Sequence, residues 1–117
     1  MLGLASCSSS ELPPASPLTD GCYYANTTPV LRVAGAKGDL LVPGNIRQVT
    51  VERGAWQSDA WVIFRPAIQI QRNPLSATVV PDLDEIWMTM EPRTAAPTIS
   101  TTTDEGTKLH LVRGQNC

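Results

Sequence analysis

The stretch Ala60-Trp61-Val62-Ile63-Phe64-Arg65-Pro66-Ala67-Ile68-Gln69-Ile70-Gln71 decides the fold class. Val62, Phe64, Pro66, Ile68 and Ile70 take alternate positions, with Trp61, Arg65, Gln69 and Gln71 between them. A period of two means a strand with one buried face, since successive side chains point to opposite sides of a pleat. The segment is expected to run as the longest strand and to be the backbone of the core. Pro66 has no N–H for a ladder, so it marks a bend, a bulge or an edge.

The same period recurs on both sides. Val49 and Val51 alternate with Gln48, Thr50 and Glu52 within a strand expected over 46–52, and Ile86, Met88 and Met90 alternate with Trp87 and Thr89. Ile99, Thr101 and Thr103 share a face of one arm of a final hairpin, around Asp104-Glu105-Gly106, whose other arm carries Leu109 and Leu111. Cys22–Ala25, Val30–Val33, Leu40–Val42 and Leu75–Val80 supply further short strands, with Gly35 to Asp39 as a hairpin loop. No stretch shows a capped 3.6-residue period, although a single helix near Leu75 or Asp82 is an open alternative. About eight short strands separated by turn residues imply an all-β fold, a small antiparallel sandwich or barrel.

Length and composition set the outer limits. The chain has 117 residues, enough for one domain. Nine basic and eleven acidic residues are spread without a basic stripe, which argues against nucleic acid as a partner. No apolar run approaches the roughly 20 residues of a membrane-spanning helix.

Motifs for chemistry are scarce. A single histidine, His110, falls opposite Leu109 and Leu111 and faces solvent; a zinc site needs about three or four nitrogen or sulfur ligands. Asp82, Asp84 and Glu85 offer three carboxylates but no turn glycine, short of the roughly six to eight oxygens that calcium takes. Asp59, Asp82, Asp84, Glu85, Glu91 and Asp104 are available for carboxylate catalysis, yet sequence spacing selects no pair. No G-x-S-x-G elbow, GxGxxG or phosphate loop occurs, so neither catalytic residues nor a cofactor are assigned. Trp56, Trp61 and Trp87 are the candidate ligand or partner contacts, because Trp61 and Trp87 fall opposite the aliphatic stripes.

The head of the chain carries an address. Leu4-Ala5-Ser6-Cys7 resembles the lipobox of bacterial lipoproteins: an aliphatic residue, two small residues, then cysteine. The resemblance implies lipid on Cys7, removal of residues 1–6 as a signal peptide, and a membrane anchor. Only six residues precede Cys7 and none is charged, which fits a signal whose beginning lies upstream. Residues 8–19, with four serines and three prolines, then read as a flexible tether in front of a β domain at 20–117. Ser8 after Cys7, in place of aspartate, resembles the family's outer-membrane sorting pattern. With lipid on Cys7, Cys22 and Cys117 are left as a pair, and the oxidising periplasm is expected to join them.

These expectations combine into a lipid-anchored protein of the bacterial envelope, facing the periplasm from the outer membrane. Its β domain is a non-catalytic binding or structural module, with an envelope protein among the partners considered. The alternatives are a barrel carrying an apolar ligand, similar to lipocalin-like lipoproteins in general plan, and a small carboxylate hydrolase. A strand-lined cavity marks the first; two acids across one cleft, one with its pKa raised by burial, mark the second.

Overall fold

The computed structural model describes residues 18–56, 59–91 and 96–114. Ten strands run in order: β1 Gly21–Ala25, β2 Thr28–Ala34, β3 Lys37–Leu40, β4 Gln48–Trp56, β5 Asp59–Arg65, β6 Ile68–Gln71, β7 Ser76–Val79, β8 Ile86–Met90, β9 Thr98–Thr102 and β10 Lys108–Arg113. Eight of them close a barrel in the order β1-β10-β9-β8-β5-β4-β3-β2, and β6 and β7 form a separate hairpin. Every pairing between strands is antiparallel, and Tyr23 opposite Arg113 closes the ring. The expected all-β class is therefore present, as a closed barrel. Closure leaves the barrel no edge strand.

The period-two pattern fills the lumen. Val62 and Phe64 from β5, Val49 and Val51 from β4, Met88 and Met90 from β8, and Leu109 and Leu111 from β10 belong to one buried cluster. Gly38 lies in this interior, where an added Cβ would sit 3.0–3.1 Å from Val51, Leu31 and Val49. That crowding explains a glycine inside β3. The sequence suggests a loop over Gly35 to Asp39, but the turn is confined to Gly35, at φ 62°, and Ala36. Val33 then pairs with Gly38, and Arg32 with Asp39.

The expectation of one strand over Ala60–Gln71 fails at its proline. β5 ends at Arg65, β6 begins at Ile68, and the Arg65–Pro66 peptide is cis. Without an N–H, Pro66 cannot carry the ladder onward. The apolar alternation survives the break because both pieces face one interior: Phe64, Ile68 and Ile70 are each 1 % exposed.

The β6–β7 hairpin caps one end of the barrel. In this up-and-down order the β1–β2, β3–β4 and β9–β10 connections all lie at the end from which the hairpin is inserted. Ala77 N–H donates to Pro43 O at 2.9 Å, Val79 N–H to Asn45 Oδ1 at 3.0 Å, and Gln71 Nε2 to Asp104 Oδ2 at 3.4 Å. Gly44 makes a close approach that no other residue permits, since its Cβ would fall 1.7 Å from Ala77 O. At the opposite end Leu18 is buried in the core, and Arg53 donates to Leu18 O at 3.1 Å and Gly35 O at 3.0 Å. Leu18, assigned to the tether from composition, is thus already part of the domain.

The outer wall is polar. Arg32, Asp39, Glu52, Arg65, Lys108 and His110 face outward, opposite to the apolar band of a lipid-facing barrel.

Candidate functional site

On this wall the strand register lines up a row of outward side chains. Trp61 on β5 lies opposite Thr89 on β8, Thr89 opposite Ser100 on β9, and Ser100 opposite His110 on β10. One step along, Ile63 faces Trp87, and Lys108 faces Thr102. Trp61 and Trp87 are therefore diagonal neighbours across β5 and β8, and their rings meet edge to face, centroids 5.8 Å apart at 67°. Ile63, 4 % exposed, is buried on this outer side and not in the lumen cluster.

Trp87 is the unusual member. It is 45 % exposed yet firmly held. Its indole N–H donates to Glu85 Oε2 at 2.7 Å, Arg65 Nε donates to Glu85 Oε1 at 2.8 Å, and Arg65 Nη1 donates to Glu52 Oε1 at 2.5 Å. The indole N–H, and after it Arg65, hold the Glu85 carboxyl below the usual carboxylate range. The Glu52 hydrogen bond holds the Arg65 guanidinium above its ordinary value. Beside the rings lies a cavity of about 240 Å³ whose lining includes Trp61, Trp87, Thr89, Ser100, Thr102 and Lys108.

A second polar group supports the groove floor. Ser100, 4 % exposed, donates from Oγ to Glu91 Oε2 at 2.5 Å, and its Oγ lies 2.9 Å from His110 Nδ1. An ionised carboxylate only accepts, so the single hydroxyl proton goes to Glu91 and Oγ accepts from Nδ1–H of His110. A nucleophile–base pair requires the opposite arrangement, with histidine accepting the serine proton. The cluster holds strands β9 and β10 in register with Glu91 and fixes the His110 tautomer.

The expected residues are only partly brought together. Trp61 and Trp87 form the groove, whereas Trp56 closes β4 opposite Asp59 and its side chain is outside the described residues. Cys7 and Cys117 also lie outside the described residues, and Cys22 is buried in β1. His110 is exposed on the outward face, as alternation requires. Thr89, Ser100 and Thr102 escape sequence reasoning, although their outward parity opposite Met88, Ile99 and Thr101 carries the signal.

The six acids named from the sequence are engaged by separate partners or exposed. Glu85 is engaged by Arg65 and Trp87, Glu91 by Ser100, and Asp104 by Gln71, while Asp59, Asp82 and Asp84 are exposed. The resolved carboxyl shifts, at Asp39 and Glu85, run downward and not upward. Among the described residues no three histidine, cysteine or carboxylate side chains gather as a metal site.

No family model matches the chain, and no curated protein or solved structure shows significant similarity to it.

Proposed function

We propose that the protein is a lipid-anchored component of the bacterial envelope whose barrel is a non-catalytic binding module, with the Trp61–Trp87 groove as its binding face. The observation that carries the binding reading is Trp87: a large aromatic ring kept 45 % exposed while its indole N–H, Glu85, Arg65 and Glu52 fix it in place. Holding an aromatic group rigidly in water before a ligand arrives lowers the ordering cost of binding. The anchor reading rests on Leu4-Ala5-Ser6-Cys7 and the Ser/Pro segment behind it. The Cys22–Cys117 disulfide belongs to the same proposal, and β10 supports it by ending with Gly114 N–H donating to Cys22 O at 2.8 Å.

The apolar-carrier alternative loses ground because buried side chains from every barrel strand occupy the lumen. The groove, in contrast, is on the outside.

Anchoring is tested by palmitate labelling in a bacterial host, from an upstream start, with Cys7→Ser as control. Label on the wild type alone supports it; none on either, or equal label on both, refutes it. Binding is tested with the unlipidated full chain (Cys7→Ser) mixed with washed envelopes and sedimented. Co-sedimentation that Trp87→Ala removes is expected. Absent or unchanged co-sedimentation would sink the reading of this face.

A further inference from the structure

We infer that the Trp61–Trp87 groove accepts a pyranose ring bearing a carboxylate, one unit of an acidic saccharide. This rests on the reading of the groove as the binding face.

The lining selects the class. A sugar ring has an apolar face of C–H groups and a rim of hydroxyls, so it needs a fixed aromatic surface bordered by hydrogen-bonding groups. Trp87 supplies the ring, and Thr89 and Thr102 supply hydroxyls that have no partner in the described residues. Ser100 is already committed to Glu91 and His110, so it shapes the floor. The volume of about 240 Å³ falls below the roughly 300–1,000 Å³ of pockets for drug-sized ligands, which suits one ring of a longer chain.

Charge selects the substituent. Lys108 is the one charged side chain lining the cavity, and it is exposed. The acids nearest to it along the chain, Asp104 and Glu105, are not in the lining, and Glu85, next to the lining residue Ile86, is already paired with Arg65. An anionic group on the ligand therefore meets an ammonium without an opposing free carboxylate in the lining.

The competing occupant, an extended peptide, lacks its usual means of attachment. Strand addition needs an open sheet edge, and here Trp61, Thr89, Ser100 and His110 sit in a continuous ladder of a closed barrel. A peptide would have to bind through side chains alone.

The test is calorimetric titration of the unlipidated full chain (Cys7→Ser) with trigalacturonate, cellotriose and an acidic peptide amide. Saturable binding of trigalacturonate is expected, about tenfold weaker in Trp87→Ala, with Trp87→Phe retaining part of the affinity. Lys108→Ala is expected to weaken it about two- to fivefold, as an exposed ion pair does. Cellotriose is expected to bind less tightly than trigalacturonate. The inference is overturned by no binding of trigalacturonate, by binding indifferent to Trp87→Ala in a variant that melts like the parent, by equal cellotriose affinity, or by preference for the peptide. If any of these occurs while envelope co-sedimentation still depends on Trp87, the ligand class fails and the binding face stands; loss of both removes the face as well.

Discussion

Trp87 gives its indole N–H to Glu85, two residues earlier in the chain, across 2.7 Å, so an aromatic ring that is 45 % exposed on the barrel wall is oriented by the carboxylate just before its own strand. Glu85 is held in turn by Arg65 on the neighbouring strand β5. Replacing Glu85 by Ala removes the acceptor and frees the ring. The near-ultraviolet circular dichroism of the tryptophans is expected to weaken with little change in melting temperature, because exposed ion pairs contribute little to stability. An unaltered tryptophan signal would show that the ring is held by packing alone.

Acid should loosen the same contact. Glu85 and Asp39 both titrate below their ordinary values of 4.5 and 3.8, Glu85 chiefly through Trp87 and Asp39 chiefly through Arg32. A lowered folded-state value means that the unfolded chain binds the proton more readily. Their contribution to stability is therefore complete above the ordinary values and is lost as pH falls through the lowered ones. Denaturant midpoints measured from pH 6 downward are expected to fall only slightly in that window, while the near-ultraviolet tryptophan signal weakens there, and Glu85→Gln is expected to flatten the decline of that signal. A Glu85→Gln curve parallel to the parent would contradict the assignment.

The cap depends on one glycine. Gly44 has φ 157° and no room for a Cβ, which would meet Ala77 O at 1.7 Å. Gly44→Ala must push the β6–β7 hairpin off the barrel end, at a cost of about 1–3 kcal/mol or more. Chemical denaturation gives the loss, and hydrogen exchange should place it at 68–79. Protection that drops uniformly, with no excess in the hairpin, would argue against this local origin.

Cys22 and Cys117 should be joined. Cys22 is 1 % exposed, and the hydrogen bond from Gly114 N–H brings the end of β10 to it. After export to the periplasm, intact mass should rise by two hydrogens on reduction, and Cys117→Ser should destabilise by about 2–5 kcal/mol. Free thiols on both residues would refute the pairing.

How much of this was legible in the sequence follows from what each residue answers to. The alternation of Val62 with Phe64, or Met88 with Met90, is a local consequence of one-sided burial, and it marks strands β5 and β8 correctly. The same alternation misleads beyond Pro66, because Ile68 and Ile70 are buried by a hairpin that caps the barrel and not by β5 itself. β3 was hidden because Gly38 answers to crowding by Val49, Val51 and Leu31 from neighbouring strands. In the groove, Trp61 and Trp87 were visible as large residues on the wrong face for the core. Their company was not: Thr89, Ser100 and His110 become a row only through the pairings of β5, β8, β9 and β10. Glu91 reaches Ser100 through the β8–β9 connection, a link no spacing announces.

The central claim, that this barrel binds through its outer wall at Trp87, is tested most directly by photo-crosslinking in living cells. A photoreactive amino acid is placed at exposed position 102 in β9, in the groove lining with Trp87 intact, and in a second strain at the exposed position 37 in β3, away from the groove. Adducts are expected from position 102, lost when Trp87→Ala is added, and few or none from position 37. Adducts of equal yield from both positions, or none from position 102, would contradict the claim.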